Sequence, residues 1–356
     1  MAKKLMKGCE AFAEAAISAG CRYFFGYPIT PQNEIPEYFS RRLPEVGGCF
    51  LQSESETAAI NMVFGASGAG ARVMTSSSGP GISLKVEGIS SLVAAQLPCV
   101  IVNVMRGGPG VGNIQASQGD YFMSVKGGGH GDYKIIVLAP ASVQEIVHVM
   151  REAFELADEY RLPVMVLADG IIGQMMEAVE FEDGYQPKHV DKPWAATGRI
   201  PGKKSRIVHD PHSGHTPKLQ ALHAILTPRY NEIRAKEVRF EKYNIHQDTE
   251  FILFAYGTIA RVCQGAIELL EEKGVKAGLF RPITLWPWPS EAALEVMKQD
   301  SVKLGITVEI SSGQMVEDVR LAMNGYKPID FYGEPGSRMI TAEEVADYVL
   351  SKRSGK

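Results

Sequence analysis

Short apolar runs alternate with segments of helical periodicity over residues 7–170, and this rhythm constrains the fold more than any other feature. The apolar runs cover 73–75, 99–105, 135–138 and 164–167, and the helical segments cover 10–19, 56–68 and 143–160. Strands that are apolar throughout are typical of a parallel sheet covered by helices on both faces. We therefore predict an α/β domain with a mostly parallel sheet over residues 1–190.

The alternation stops near residue 177 and resumes near residue 250. The intervening stretch holds several prolines and Trp194, and its periodicity predicts one helix over 227–244. From residue 250 onward an apolar strand, a helix to 273, strands at 277–279 and 303–310 and a helix over 341–351 follow one another. We predict a connecting segment over 191–247 and a smaller α/β domain over 248–356.

Composition and charge exclude several classes of protein. The 356 residues are 45% hydrophobic and 22% charged with a net charge of -4, which is ordinary for a globular protein. No basic run is interleaved with aromatic residues, so a nucleic-acid partner is not expected. Glu10 and Glu14 interrupt the only stretch that resembles a signal peptide, and no apolar run is long enough to cross a bilayer. We predict a cytoplasmic protein without a membrane segment.

Metal and nucleotide motifs are also missing from the sequence. The five cysteines form no C-x-x-C pair, so neither zinc nor an iron–sulfur cluster is expected on this chain, and Cys9, Cys49 and Cys99 are predicted to be buried. His209, His212 and His215 lie in a segment broken by Pro and Gly, and we predict no metal there. The glycines between 65 and 70 close a helix instead of opening one, which is the wrong context for a dinucleotide fingerprint.

A stiff loop follows the strand-like run 23–25. Pro28 and Pro31 fix their own φ angles and restrict the residues before them, so the Thr30 hydroxyl is held in one place. This loop lies at the carboxyl end of a strand, where open α/β sheets bind their ligands. Thr30 is therefore a candidate ligand-binding residue, although an ordinary strand-to-helix turn explains the same pattern.

Acidic residues mark the next junction between a strand and a helix. Ser53 with Glu56 three residues later fits a capping box, which would give Glu56 a structural task. Ser55 is the alternative cap, and it would leave Glu56 in the first helical turn, free to face a cleft. Either Glu54 or Glu56 is suitable to hydrogen-bond a ligand.

Two more strand ends carry residues suited to a ligand. Residues 75–81 are rich in hydroxyls and glycine, which allow a ligand to approach the backbone, although a plain glycine turn fits as well. Arg106 ends an apolar strand, and its guanidinium has the geometry to bind a carboxylate.

His130 lies in a glycine-rich loop. It is either an acid or base, or it belongs to a loop that closes over a site or contacts a partner.

Taken together, these segments resemble the α-type subunit of the 2-oxoacid:ferredoxin oxidoreductases, which are thiamine-diphosphate enzymes. The resemblance rests on residues 27–31, 52–56, 75–81, 106–109, 138–145 and 280–287. It implies a pyrimidine-binding domain of the thiamine-diphosphate type and a smaller transketolase-carboxyl-like domain. It also implies that a β subunit holds the diphosphate through Mg2+, that [4Fe-4S] clusters lie on a ferredoxin-like subunit, and that a γ subunit or domain completes the complex.

The resemblance assigns roles to individual residues. In that family a glutamate bonds a ring nitrogen of the cofactor's aminopyrimidine, and Glu56, with Ala59 and the pair Gly65-Ala66 after it, fits the family pattern better than Glu54. Thr30 and Arg106 would hold the substrate, and Pro28 and Ile29 would pack near the cofactor.

The sequences of residues 53–57 and 126–133 are most similar to those of family members that act on the branched-chain acid 3-methyl-2-oxobutanoate. The expected reaction is oxidative decarboxylation with coenzyme A, which yields acyl-CoA and CO2 and reduces ferredoxin. Family members that act on 2-oxoglutarate or pyruvate share the same framework of motifs. Two alternative functions belong to other classes. One is a non-catalytic scaffold subunit. The other is a nucleotide-dependent dehydrogenase, and NAD binding by the pure chain would support it.

Overall fold

Fourteen strands and twelve helices form the part of the chain that the computed structural model describes, which is residues 3–199, 201, 202, 206, 208 and 216–353. The strands are β1 (Lys4–Lys7), β2 (Tyr23–Gly26), β3 (Cys49–Gln52), β4 (Val73–Ser77), β5 (Cys99–Met105), β6 (Ile136–Leu138), β7 (Pro163–Asp169), β8 (Met176–Val179), β9 (Phe240–Tyr243), β10 (Phe251–Phe254), β11 (Ala277–Pro282), β12 (Thr284–Trp286), β13 (Leu304–Glu309) and β14 (Ile329–Gly333). The helices are α1 (Gly8–Ser18), α2 (Glu34–Glu45), α3 (Glu56–Gly68), α4 (Gly79–Ala94), α5 (Tyr121–Val125), α6 (Val143–Tyr160), α7 (Gly170–Gln174), α8 (Thr216–Lys236), α9 (Gly257–Glu272), α10 (Ser290–Met297), α11 (Met315–Met323) and α12 (Ala342–Arg353).

A seven-stranded sheet in the order β12-β6-β7-β5-β4-β2-β3 carries the first α/β unit. Its strands are parallel except for β12, which runs antiparallel to β6. Strands β4, β5 and β7 are buried along their whole length, because helices cover both faces of a parallel sheet. The predicted α/β class and mostly parallel sheet are confirmed.

Strand β3 lies at the edge of this sheet, and its exposure corrects one prediction. Cys49 was expected to be buried with Cys9 and Cys99, but it is exposed, whereas the other two are buried. An edge strand has a neighbour on one side only, so its residues keep contact with solvent.

A five-stranded sheet in the order β14-β13-β10-β11-β9 forms the second unit, and it is parallel except for β9. The predicted helix over 227–244 is wrong at its end, because α8 stops at Lys236 and Phe240–Tyr243 is a strand. Phe240 stacks on Phe280 of β11 at 5.2 Å between ring centroids, and this cross-strand contact favours the strand over a helical extension.

Two strands connect regions that the sequence assigns to different segments. β9 lies within 191–247 but pairs with β11, and β12 lies within 248–356 but pairs with β6 of the first sheet. Asp169, at the end of β7, adds a polar link: its carboxylate accepts hydrogen bonds from the backbone N–H of Ile171 and from the N–H and hydroxyl of Thr258. Hydrogen bonds therefore join the two units, and strand β12 from the later part of the chain belongs to the sheet of the first unit.

None of the described helices is both long and apolar enough to cross a bilayer. His209, His212 and His215 lie outside the described residues. No group of three or more His, Cys, Asp or Glu side chains within the described ranges is arranged to hold a metal ion.

Candidate active site

Helix α3 places Glu56 at the carboxyl edge of the first sheet. Ser55 caps the helix, since its hydroxyl accepts a hydrogen bond from the N–H of Ala58 at 3.2 Å. Ser53 does not form the capping box: its hydroxyl donates to the carbonyls of Gly26 and Ser55, which ties the end of β3 to the end of β2. Glu56 is buried with 6% of its surface exposed, whereas Glu54 is exposed. The carboxylate of Glu56 forms no hydrogen bond or ion pair with any residue that the structure describes.

The first turn of α4 lies between Glu56 and Arg106. A Cβ atom on Gly81 would lie 2.5 Å from Glu56 Oε1 and closer still to Ser77 Oγ, so only glycine fits beside the carboxylate. A Cβ atom on Gly79, whose φ is +30°, would lie 3.7 Å from Arg106 Cγ. The glycine at 81 therefore lets the Glu56 carboxylate approach the start of α4, and Arg106 lies near the same helix start at Gly79.

Arg106 and Thr30 are direct neighbours. Arg106 is 9% exposed, and its guanidinium donates to the carbonyl of Thr30 at 3.0 Å and to the carbonyl of Val111 at 2.7 Å. The Thr30 hydroxyl accepts a hydrogen bond from Asn33 Nδ2 at 3.3 Å. The sequence-predicted residues Thr30, Glu56 and Arg106 thus follow the carboxyl ends of β2, β3 and β5, with β4 between β5 and β2, as expected for a ligand site in a parallel sheet.

Several buried polar atoms at this edge lack a hydrogen-bond partner among the described residues. They are the hydroxyls of Ser77 and Ser78, Asn103 Oδ1 and Arg106 Nε. Buried polar groups in proteins are nearly always hydrogen-bonded, so a cluster of unpartnered ones at one strand edge is a place where a ligand could supply the missing bonds. The cluster follows β4 and β5, next to Gly79 and Gly81.

Comparisons with known proteins agree with this geometry. Residues 14–239 match the family described as pyruvate flavodoxin/ferredoxin oxidoreductase, thiamine diP-bdg, and residues 249–345 match the pyruvate:ferredoxin oxidoreductase core domain II. The chain is 46% identical to the ketoisovalerate oxidoreductase subunit VorB of Methanothermobacter thermautotrophicus, over 98% of this chain and 97% of that protein. It is 38% identical to the 2-oxoglutarate synthase subunit KorA of Archaeoglobus fulgidus, over 98% and 99%.

The chain belongs to the 2-oxoacid:ferredoxin oxidoreductase family. It is one of the subunits of these multi-subunit enzymes, and it carries their thiamine-diphosphate-binding domain. Among solved structures, the 2-oxoglutarate:ferredoxin oxidoreductase from Magnetococcus marinus, with 2-oxoglutarate, coenzyme A and succinyl-CoA bound, superposes with a TM-score of 0.87 at 26% identity. The match covers 98% of this chain, which spans 65% of the length of that longer one.

The residues at the strand edge fit the pyrimidine ring of the family's cofactor. A flat ring with hydrogen-bonding nitrogens needs a free carboxylate, small residues that admit it and polar atoms at its rim. Glu56 would supply the carboxylate, Gly79 would be the small residue, and the hydroxyls of Ser77 and Ser78 would supply the polar atoms. Pro28 is exposed and Ile29 and Thr30 are half-buried, so the loop before α2 has free surface for a ligand.

Sequence reasoning missed two charged residues of this site. Lys85 is fully buried, and burial lowers the pKa of its amine to about 7. Burial also raises the pKa of Asp120, although Asn103, Arg106 and the N–H of Gly79 oppose this effect. The sequence does indicate that Lys85 is buried, because Lys85 lies on the same face of α4 as the buried residues Ile82, Ile89 and Leu92.

His130 is not part of the site that the structure brings together. Its side chain is exposed, and its backbone carbonyl accepts a hydrogen bond from Ser90 of α4 at 2.6 Å. This contact favours the interpretation as a loop over that as an acid or base.

A cavity of about 730 Å³ opens on the other side of Thr30. It lies between the loop before α2, the loop after β5, helix α7 and the segment before α12. Its lining combines apolar and amide side chains with two acids, and it consists of Thr30, Pro31, Asn33, Glu34, Glu37, Ile114, Gln115, Ala116, Gly170, Ile171, Gln174, Met175, Ser337 and Met339. Neither Glu56 nor Arg106 lines it, and Thr30, which accepts a hydrogen bond from Arg106 through its carbonyl, is the one of the three predicted residues that does.

Proposed function

We propose that this chain supplies the glutamate half of a thiamine-diphosphate site in an enzyme that oxidises branched-chain 2-oxoacids. The observation that carries the proposal is the buried, unpartnered carboxylate of Glu56 beside Gly81, within the family's thiamine-diphosphate-binding domain. The reaction joins a 2-oxoacid and coenzyme A into acyl-CoA, releases CO2 and a proton, and passes two electrons to ferredoxin.

Glu56 has the role of hydrogen-bonding the pyrimidine ring nitrogen, and Pro28 and Ile29 pack beside the ring. The cofactor supplies the carbanion chemistry of decarboxylation, and the protein orients it and exchanges protons with it. Glu56 suits this task because its carboxylate is not engaged with another described residue. Glu54 is the weaker candidate, since it is exposed.

Arg106 and Thr30 have the role of holding the carboxylate and carbonyl of the substrate. The Arg106 guanidinium is fixed by the carbonyls of Thr30 and Val111, and its buried Nε–H has no partner among the described residues. A guanidinium with a free N–H on a fixed frame is suited to a carboxylate.

The remainder of the site belongs to other chains under this proposal. A β subunit holds the diphosphate through Mg2+, a ferredoxin-like subunit carries the [4Fe-4S] clusters, and a γ subunit or domain completes the complex before electrons reach ferredoxin. The support is the resemblance of the sequence and the names of the relatives, which are subunits of larger enzymes. The cytoplasmic location expected from the sequence stays a prediction.

The lining of the cavity beside Thr30 supports an aliphatic substrate over 2-oxoglutarate. It includes Ile114, Ile171 and Met339, and no lysine or arginine of the described chain lines it. The second carboxylate of 2-oxoglutarate would meet Glu34 and Glu37 there, and the Lys7 ammonium beside Glu34 is already paired with it at 2.8 Å. The higher identity to the ketoisovalerate subunit than to the 2-oxoglutarate subunit points the same way.

A substrate panel on the reconstituted complex tests the proposal, with ferredoxin or a dye as electron acceptor. We expect the highest kcat/KM for 3-methyl-2-oxobutanoate and a much lower one for 2-oxoglutarate and pyruvate. The chain alone should show no turnover. Full turnover by the isolated chain, or a preference for 2-oxoglutarate, would contradict the proposal.

A further inference from the structure

Lys85 is a lysine in the interior of the first unit, directly behind the proposed cofactor site. It lies one helical turn after Gly81 on α4, so the two residues face the same way. Gly81 lies against the Glu56 carboxylate, so Lys85 is one helical turn away from that contact. None of its surface is exposed. The roles proposed for Glu56, Thr30 and Arg106 give this residue no task.

The hydrogen bonds of Lys85 match a neutral amine. Its Nζ donates to Thr75 Oγ1 at 2.8 Å and to the carbonyl of Ser76 at 2.9 Å, and both acceptors belong to β4. A neutral amine has two N–H groups, and these two acceptors satisfy both of them. An ammonium has a third N–H, for which the described chain supplies no acceptor.

Two ionisable groups face Lys85 from the elements packed around it. Glu56 comes from α3, and its carboxylate favours the charged amine; the Cys99 thiol comes from β5. Burial raises the pKa of the Cys99 thiol, so the thiol stays protonated and adds no charge beside Lys85. Burial lowers the pKa of Lys85 to about 7, which puts its own change of charge in the working range.

We propose that Lys85 is a positioning residue that controls whether Glu56 carries its proton. The proposal rests on the proposed function of Glu56 as the partner of the pyrimidine ring. A charged Lys85 favours the Glu56 carboxylate, and a neutral Lys85 lets Glu56 hold a proton. A carboxyl group that exchanges a proton with a ring nitrogen works best when its proton affinity is tuned to that of the ring.

Three variants separate this role from a purely structural one. Lys85→Met keeps the length and burial of the side chain and removes the charge. Lys85→Arg keeps a charge that does not titrate in this range. Lys298→Met, at an exposed position after α10, is the matched control for loss of a lysine.

The measurement is an infrared titration of the Glu56 carboxyl band in the cofactor-free reconstituted complex, with the band assigned by its loss in Glu56→Gln. We expect Lys85→Met to raise the pH at which half of Glu56 is protonated by about one unit or more, because an opposite charge is removed from its vicinity. Lys298→Met should leave the midpoint unchanged. An unchanged midpoint in Lys85→Met would overturn the proposal.

The wild-type complex provides a second measurement if Lys85→Met does not fold. Its Glu56 band should respond to a second titration near pH 7, and this response should be missing in Lys85→Arg. A single titration step in the wild type would also overturn the proposal. The proposed function fails separately, through a Glu56→Gln complex that retains full turnover, and that result would leave the infrared titrations unchanged.

Discussion

Glu56 and Glu309 are two buried glutamates at the carboxyl edges of the two sheets, and their surroundings are opposite. Glu309 ends β13, and its carboxylate accepts hydrogen bonds from the Ser311 hydroxyl and from the backbone N–H groups of Gln314, Met315 and Val316. Glu56 begins α3 and accepts none from the described residues, although a buried lysine lies behind it.

The difference shows how the same position in an α/β unit serves structure in one case and a ligand in the other. The four donors around Glu309 fix the start of α11 and leave the carboxylate no capacity for a ligand. No described residue uses the capacity of Glu56, and the absence of a Cβ atom at Gly81 leaves room for its carboxylate. We therefore expect loss of function from changes at Glu56 and loss of stability from changes at Glu309.

The largest expected effect is on turnover in Glu56→Gln. We expect kcat of the reconstituted complex to fall by about 100-fold or more, because a proton-exchanging carboxyl group is lost. Assembly should be unchanged. Glu54→Gln is the matched control at an exposed position of the same turn, and it should retain wild-type kcat. A large loss in Glu54→Gln with a small one in Glu56→Gln would transfer the role to Glu54.

Arg106→Ala should raise KM for the 2-oxoacid by roughly tenfold to a hundredfold, since a hydrogen bond to a charged group contributes about 1.5–3 kcal/mol. Steady-state kinetics of the complex measure this change. Arg41→Ala, on the exposed surface of α2, is the control that should not change KM. Unchanged kinetics in Arg106→Ala would favour the non-catalytic scaffold alternative.

Glu309→Gln should lower the free energy of unfolding of the chain by about 1–3 kcal/mol, because the amide leaves buried N–H groups without full acceptors. Glu56→Gln should stay within about 1 kcal/mol of the wild type, since it breaks no hydrogen bond of the described chain. Urea denaturation followed by circular dichroism measures both. Equal losses in the two variants would remove the contrast between the two glutamates.

The last expected effect is the pH dependence that Lys85 gives to stability. The pKa of Lys85 is about 7 in the folded chain and ordinary in the unfolded chain, so the unfolded state binds more protons between those values. Stability should therefore rise as the pH increases above 7, by at most about 1.4 kcal/mol per pH unit from this group. The rise should be smaller in Lys85→Met, as measured by denaturation at pH 7, 8 and 9. An identical slope in both proteins would mean that Lys85 does not titrate as described.

Much of the fold and part of the site could be predicted from local sequence patterns. Strand β5 and helices α3 and α6 have the predicted bounds, because an apolar run or a long helical period is visible without tertiary context. Thr30 and Arg106 were recognisable because a stiff loop and a strand end place them at the sheet edge, and the structure joins them by a hydrogen bond.

Other features depend on contacts between distant segments. Strand β12 pairs with β6 of the first sheet, a partner about 150 residues earlier in the chain that no local pattern reveals. The buried position of Lys85 behind Glu56 likewise needs the packing of α3 against α4. The helix stripe indicated that Lys85 is buried, but only the structure shows which carboxylate it faces.

The most direct test of the account is the exchange of the C2 proton of bound thiamine diphosphate with deuterated solvent, measured by NMR after quenching. The reconstituted complex should exchange this proton rapidly, and Glu54→Gln should match it. Glu56→Gln should exchange it at least about 100-fold more slowly while it still binds the cofactor. Wild-type exchange in Glu56→Gln would contradict the claim that this chain supplies the glutamate half of the site.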